Sequence, residues 1–511
     1  MYIRDIACSF QPPACMKRSG LFLLILIITA HAANAQKAAA TVEVMVQGID
    51  EGLVDILLPV QHSVFWGASR VDTIKGKKPL TIKLTDDQTG FVNIIVVERE
   101  IRLFVQKGNN IKITIDEDNE EEPVTINGPN KDGQTLLTSG QLLYPGSLLP
   151  RYKRDTIATM LEKHVGDDKA VRMNIFKKLF DEHKIDKPFF DFIKLTLDYY
   201  HASIITEVIA SKYEASALPK DNPFYKAPFS PDFGALWEAT YRQYPVNNPA
   251  AICSFGYSER FNTYAGDYLN SYLSWQKQKY GAAPSVSDPV ANIKETVQRI
   301  QHNLKPPVAE FVEADLLFSE LSLEKNYVIL SALFNDFKKR HPKSVYIPYI
   351  QPLADRAIAY YERVKQDFTS GQKIIKDYRL INSFRELISH FRGKPVYIEF
   401  WATWCFPCKD QFEYEPGLTK FLQKNNIEHL FISVDNDRQE AEWKELIKYY
   451  NLEGSHIKAN PSLIKDLSKI FWQGKGYALP LYAIIGASGN IIEFDALKPA
   501  DRKKLYQQLS R

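Results

Sequence analysis

The stretch Val396-Tyr397-Ile398-Glu399-Phe400-Trp401-Ala402-Thr403-Trp404-Cys405-Phe406-Pro407-Cys408 decides the fold of the C-terminal part of this chain. Its first six residues are apolar or aromatic except for one glutamate, which predicts a buried strand. Residues 409–423 are predicted to form a helix. A strand that runs into Cys-x-x-Cys at a helix start places the first sulfur near unpaired amides and the positive end of the helix dipole.

This placement assigns a role to each cysteine. Cys405 is the predicted nucleophile, because the helix start favours its thiolate and the turn leaves it exposed. Cys408 lies one turn inside the helix and is expected to close the disulfide and release a bound partner. A purely structural disulfide is the alternative, although so short a loop would constrain little of the unfolded chain.

A zinc site is a second alternative for the cysteine pair. Zinc would need two further Cys or His ligands at a comparable spacing. The ten histidines are scattered, and the sequence contains neither a second Cys-x-x-Cys nor a His-x-x-x-His pair. We therefore expect no metal and no cofactor.

The segment 400–409 resembles the active-site signature of thioredoxin-like proteins, and most of all that of exported TlpA/ResA-type disulfide reductases. The resemblance covers about 140 residues, up to the C-terminal helix. It implies an α/β thioredoxin-like fold over residues 371–511, with a central mixed sheet flanked by helices. Residues 104–108 and 126–128 resemble, more loosely, the β domain that precedes such modules in Bacteroidetes envelope proteins.

The resemblance also implies roles for residues around the cysteines. Leu479-Pro480 corresponds to the cis-proline of the fold, which presents backbone to an extended substrate; an ordinary trans proline at a strand start is the alternative. Trp404, Phe406 and Pro407 are assigned to the same substrate-binding surface.

Glu399 matches the buried acid that relays the proton of the resolving cysteine in thioredoxins. A lone carboxyl between apolar neighbours should be desolvated, which raises its pKa. The alternative is that strand alternation turns Glu399 towards solvent or a lysine. Two departures from the family pattern stand out: Phe406 replaces a glycine, and Phe431 falls where thioredoxin has a lysine partner for the acid. Because of these two departures, the sequence does not predict the redox potential.

The rest of the chain suggests export and several domains. Residues 1–35 resemble a secretory signal peptide: Lys17-Arg18, an apolar run and Ala33-Asn34-Ala35, with cleavage before Gln36. A membrane anchor is the alternative, but the apolar run falls far short of the roughly 20 residues needed to span a bilayer. No later apolar run is long enough to span. We expect a periplasmic or envelope protein.

Short β-branched runs predict an all-β, sandwich-like domain over residues 36–135, with strands near 41–46, 80–84, 91–97, 111–115 and 124–126. Residues 136–370 have helical periodicity, for example at 189–209 and 321–337, and form a mainly α-helical region. The 64 basic and 61 acidic residues are interspersed, so nucleic acid is not an expected partner.

After cleavage three cysteines remain, Cys253, Cys405 and Cys408, which is too few for a disulfide-stapled scaffold. The sequence thus predicts an exported thiol-disulfide oxidoreductase, more reductive than oxidising, that acts on protein thiols and disulfides and receives electrons from an envelope protein. Two alternatives stay open. One is an envelope binding or assembly protein with an accessory redox domain; the other is a peroxiredoxin-like peroxidase.

Overall fold

The protein is described by a computed structural model over residues 38–76, 78–119, 123–139, 149–218, 220–222, 228–254, 263–280, 289–323 and 327–510. The predicted signal peptide, residues 1–35, lies outside these described residues. The chain divides into two compact units, one ending at Ala354 and the other beginning at Asp355.

The first unit begins with two β-sheets whose strands are mostly antiparallel. Their strands are β1 (Ala40–Gln47), β2 (Glu51–Val60), β3 (Ser63–Lys75), β4 (Leu80–Leu84), β5 (Gly90–Val96), β6 (Arg99–Val105), β7 (Asn110–Asp116) and β8 (Val124–Asn127). The sheet orders are β4-β1-β7-β8 and β3-β2-β5-β6. Buried and partly exposed residues alternate along β1, so one side faces a core shared by both sheets. This confirms the predicted all-β region.

A helical region follows the sheets, as predicted. Its α-helices are α1 (Lys131–Thr138), α2 (Leu149–Tyr152), α3 (Ala158–Asp181), α4 (Lys187–Ser216), α5 (Pro231–Gln243), α6 (Pro249–Ser254), α7 (Leu273–Tyr280), α8 (Pro289–Asn303), α9 (Val308–Ser322), α10 (Tyr327–Arg340) and α11 (Ile347–Val364). Asp186 caps α4 by accepting a hydrogen bond from the Phe189 amide. The predicted helix over 189–209 lies within α4. The single helix predicted over 321–337 is wrong, because α9 ends at Ser322 and α10 begins at Tyr327.

The second unit is built on one mixed sheet, in the order β14-β13-β10-β11-β12-β9. Its strands are β9 (Gln372–Ile374), β10 (Val396–Trp401), β11 (Glu428–Ser433), β12 (Gly454–Lys458), β13 (Leu481–Ile485) and β14 (Ile491–Glu493). Its helices are α12 (Phe384–Ser389), α13 (Phe406–Gln411), α14 (Glu415–Lys424), α15 (Glu440–Tyr449), α16 (Pro461–Phe471) and α17 (Lys503–Leu509). The predicted mixed sheet with flanking helices is therefore confirmed.

Strand β10 is central and buried along its whole length. It pairs in parallel with β11 and antiparallel with β13. Alternate side chains of β10 enter two different cores: Ile398 and Phe400 pack on one face of the sheet, and Tyr397 packs on the other. This explains why the sequence of β10 is almost continuously apolar.

The helix predicted over 409–423 starts earlier and is interrupted. Helix α13 begins at Phe406, and a 3-10 turn at Phe412–Tyr414 separates it from α14. Pro416 stands at the start of α14 and has no amide hydrogen to donate to the carbonyl four residues before it. Within the described residues, none of the helices has both the length and the apolar character required to cross a membrane.

Candidate active site

The two cysteines stand where β10 gives way to α13. Cys405 is the N-cap residue of α13, and its Sγ accepts a hydrogen bond from the Cys408 amide at 3.3 Å. The two residues form a disulfide with a Cα–Cα distance of 5.3 Å. The predicted arrangement, with the first sulfur over free helix amides and the second one turn inside, is present in the structure.

The burial of the pair differs from the prediction in one respect. Cys408 is fully buried, but Cys405 is also only 4% exposed, so the expectation of an exposed Cys405 is wrong for this disulfide form. Its neighbours in the chain, Trp404 and Phe406, take the exposed positions instead.

An aromatic surface surrounds the cysteine turn. Trp404 is 48% exposed and Phe406 is 72% exposed, and Pro407 is exposed beside them. The sequence did not single out Tyr477, which is 43% exposed and lies with its ring centroid 6.2 Å from that of Trp404. Exposed aromatic groups at this density are typical of protein-binding surfaces.

The Leu479-Pro480 peptide bond is cis, in agreement with the resemblance. Strand β13 starts at Leu481, whose register partner on β10 is Phe400. Pro480 therefore comes beside the end of β10, where the chain turns towards the cysteines. Leu479 packs against the same hydrophobic core that contains both cysteine side chains.

A buried carboxylate, which the sequence did not reveal, fastens the loop before Cys405. Asp435 is 1% exposed and accepts hydrogen bonds from the Thr403 amide (3.0 and 3.1 Å) and the Thr403 hydroxyl (3.0 Å). The Ser433 hydroxyl also donates to Asp435 at 2.7 Å. Burial raises the pKa of Asp435, and these donors oppose that shift. The loop is held to the end of β11 by these bonds.

Glu399 is fully buried, as predicted. Burial, and next the neighbouring Glu415 carboxyl, raise its pKa well above the usual value. Its register partner on β11 is Phe431, so a lysine does not occupy that position. The predicted burial and pKa direction are confirmed; the role of Glu399 in catalysis remains a proposal.

Two further buried side chains lie beside Glu399, and sequence analysis missed both. Glu415 is the first residue of α14, and His429 lies in β11. The three offer polar atoms within 4.8 Å of one another, and such side chains can bind metal ions. The His429 ring turns Nε2 to Glu399 (4.0 Å) and Nδ1 to Glu415 (3.5 Å), so it lies between the two carboxyls.

Comparison with known proteins identifies the domain that carries this site. Residues 386–509 match the Redoxin family model. A thiol-disulfide oxidoreductase ResA of Bacillus cereus is 28% identical over 106 residues, and one of Bacillus thuringiensis subsp. konkukian is 32% identical over 107 residues. Each match covers 21% of this chain and 57% of the relative, so the chain spans little more than half of either protein.

Solved structures match the same part of the chain. A thiol-disulfide oxidoreductase from Bacteroides fragilis is 26% identical, with 24% of this chain and 82% of that chain covered and a TM-score of 0.19. A putative thiol-disulfide oxidoreductase from Bacteroides vulgatus is 23% identical, with 24% and 78% covered and a TM-score of 0.19. The family match and the ResA relatives support a TlpA/ResA-type family for the C-terminal domain of this chain.

Proposed function

We propose that the protein is an exported thiol-disulfide oxidoreductase that reduces disulfides in other exported proteins. The observation that carries this proposal is the position of Cys405 as N-cap of α13, with its sulfur accepting the Cys408 amide and a disulfide to Cys408 beneath it. A thiolate at such a helix start is stabilised and reactive, and a second thiol one turn inside can resolve the mixed disulfide.

The reaction balances as two exchanges. The Cys405 thiolate attacks one sulfur of a client disulfide, the client disulfide bond breaks, and one client thiolate leaves. Cys408 then loses its proton and attacks Cys405 Sγ; the Cys405–Cys408 disulfide forms and the second client thiolate leaves. The client gains two electrons, and an envelope dithiol donor restores them to the protein by the reverse exchange.

The proposed client-binding surface consists of Trp404, Phe406, Pro407 and Leu479-Pro480. Its support is the exposure of the aromatic side chains beside a Cys405 that is itself nearly enclosed. Aromatic side chains often dominate binding at protein interfaces. If the KM for a protein substrate is unchanged in both Trp404→Ala and Phe406→Ala, these two side chains do not take part in client binding.

Export through residues 1–35 is the second part of the proposal, and it rests on the signal-peptide pattern. Cleavage would leave Gln36 as the first residue. Mass spectrometry of the protein recovered from a secreting bacterial host tests this directly, and a chain that retains the segment before Gln36 would contradict it.

Reduction of insulin is the test of the proposed activity. With dithiothreitol as electron donor, the chain from Gln36 to Arg511 should accelerate the precipitation of insulin chains, and Cys405→Ser should abolish the acceleration. Cys253→Ser is the matched control, because Cys253 belongs to the first compact unit, where its sulfur lies 3.5 Å from the Ser63 hydroxyl. Insulin reduction no faster than with dithiothreitol alone would favour the alternative of a binding protein with an inactive redox domain.

A further inference from the structure

The three side chains Glu399, Glu415 and His429 form a buried polar group, the acid triad, in an otherwise apolar core. They are 0%, 1% and 5% exposed. Among the residues that the structure describes, neither their carboxyl oxygens nor their ring nitrogens have a hydrogen bond to a group outside the triad. Buried polar groups almost always have partners, so this unsatisfied cluster requires an explanation.

The geometry places the imidazole between the two carboxyls, with Nδ1 3.5 Å from Glu415 and Nε2 4.0 Å from Glu399. A neutral imidazole donates from one nitrogen and accepts at the other. The 4.0 Å contact with Glu399 is longer than a hydrogen bond, so the ring must shift towards Glu399 to connect one protonated and one ionised carboxyl.

Among the described residues, no lysine or arginine is one of the groups that shift the pKa values of the triad. The titratable groups that act on the triad or on its tyrosine neighbours are Tyr397 in β10, Tyr482 in β13, His456 in β12 and Asp501. Burial lowers the pKa of His456 to about 4 and, with His456 as a second cause, that of His429 to about 3, so both rings are neutral at pH 7. Burial also raises the pKa of Glu415, while its hydrogen bond with Glu399 opposes the rise.

The triad lies close in the chain to the helix that carries the resolving cysteine. Cys408 in α13, Phe412 in the following 3-10 turn and Glu415 at the start of α14 are all buried. On the strand side, Glu399 lies two residues before the end of β10. Both connections lead from the triad to the cysteine turn.

We propose that Glu399, Glu415 and His429 act as one proton-holding unit that exchanges a single proton with Cys408 during the redox cycle. In the disulfide form both carboxyls are protonated. When an incoming thiolate attacks Cys405 Sγ and the disulfide breaks, the Cys408 sulfur receives the electron pair and takes a proton from Glu399. The remaining proton is then shared between Glu399 and Glu415, directly or through His429. In the resolving step Cys408 returns its proton and attacks Cys405.

Glu415 and His429 are positioning residues in this scheme, because they act through Glu399. Two acids that share a site titrate as a pair, and the Glu415 carboxyl raises the pKa of Glu399, which favours the protonated form of Glu399 in the disulfide state. Without Glu415, Glu399 ionises at lower pH and holds its proton less firmly. The proposal deepens the proposed function of this site and rests on it.

The first test is the pH dependence of the resolving step in single-turnover experiments on the chain from Gln36 onward. Glu415→Gln should move the limb of the profile to lower pH by at least about one unit, because the Glu415 carboxyl raises the pKa of Glu399. Glu413→Gln is the matched control, since Glu413 is an exposed glutamate two residues away. A limb that stays in place in a folded Glu415→Gln variant would overturn the proposal, even if the overall rate fell.

The second test does not depend on a client protein. Infrared difference spectra between the disulfide and dithiol forms should show the loss of a protonated carboxyl band upon reduction, and Glu399→Gln/Glu415→Gln should remove that signal. If the carboxyl bands do not change between the two forms while insulin is still reduced, the proton role of the triad is wrong. If insulin is not reduced while the infrared signal is present, only the proposed function is wrong. A stoichiometric divalent metal in the purified chain, lost in Glu415→Gln, would also overturn the proton scheme.

Discussion

Cys408→Ser is expected to accumulate mixed disulfides with client proteins through Cys405, whereas Cys405→Ser should trap none. Cys405 can still attack a client disulfide when serine replaces its partner, but no thiol remains to resolve the product. The experiment is sharpest in a Cys253→Ser background, where the chain from Gln36 onward keeps a single thiol. Insulin incubated with each variant and separated on non-reducing gels provides the measurement.

Peptide mapping of the trapped species identifies the linked cysteine. Equal trapping by Cys405→Ser would reverse the assignment of nucleophile and resolver. Trapping by neither variant, with both chains folded, would mean that the disulfide is structural.

Glu399→Gln is expected to slow the resolving step by about 10²- to 10⁴-fold, the usual contribution of a positioned proton acceptor. Glutamine keeps the shape of the side chain but cannot take the Cys408 proton. The wild-type rate should rise with pH as the acid ionises, and the variant should lose that rise. Alkylation of Cys405 depends on its own thiolate and should change much less. Superimposable single-turnover profiles would leave Glu399 with a structural role only.

Stability measurements separate this effect from misfolding. Because the pKa of Glu399 is raised in the folded state, the unfolded chain releases this proton at lower pH than the folded chain. The carboxyl is neutral in both states below about pH 4.3 and destabilises the fold increasingly as the pH rises above that value. At pH 8 the melting temperature of the Glu399→Gln variant should therefore be equal to or higher than that of the wild type.

Much of the site followed from local sequence. The apolar run of β10 and the Cys-x-x-Cys after it were sufficient to place Cys405 at a helix start and to predict the burial of Glu399. The burial of Cys405 could not be read in this way, because it depends on the packing of the hydrophobic core that contains both cysteine side chains. Strands β2, β3 and β6 were missed, and in β2 a register shift between Leu57 and Pro59 interrupts the pairing with β3.

The sequence analysis mainly missed residues that lie together in the fold but are distant in sequence. Glu415 joins Glu399 only through the packing of α14 on the sheet, and His429 through the parallel pairing of β10 with β11. One signal was available for Glu415: it follows Cys408 by seven residues, a spacing that would place both side chains on one face of an uninterrupted helix. Asp435 gave a weaker signal, as a carboxylate just beyond an apolar strand.

Redox titration of the Cys405–Cys408 pair tests the central claim most directly. The chain from Gln36 onward, in the Cys253→Ser background, is equilibrated with thiol buffers of graded potential, and the fraction of alkylated cysteine is read by mass spectrometry. A reversible two-electron transition is expected, at a potential nearer to the about −270 mV of thioredoxin than to the about −120 mV of a strong oxidant. A disulfide that stays closed in every buffer, or a transition near the oxidising value, would contradict the account of a protein-disulfide reductase.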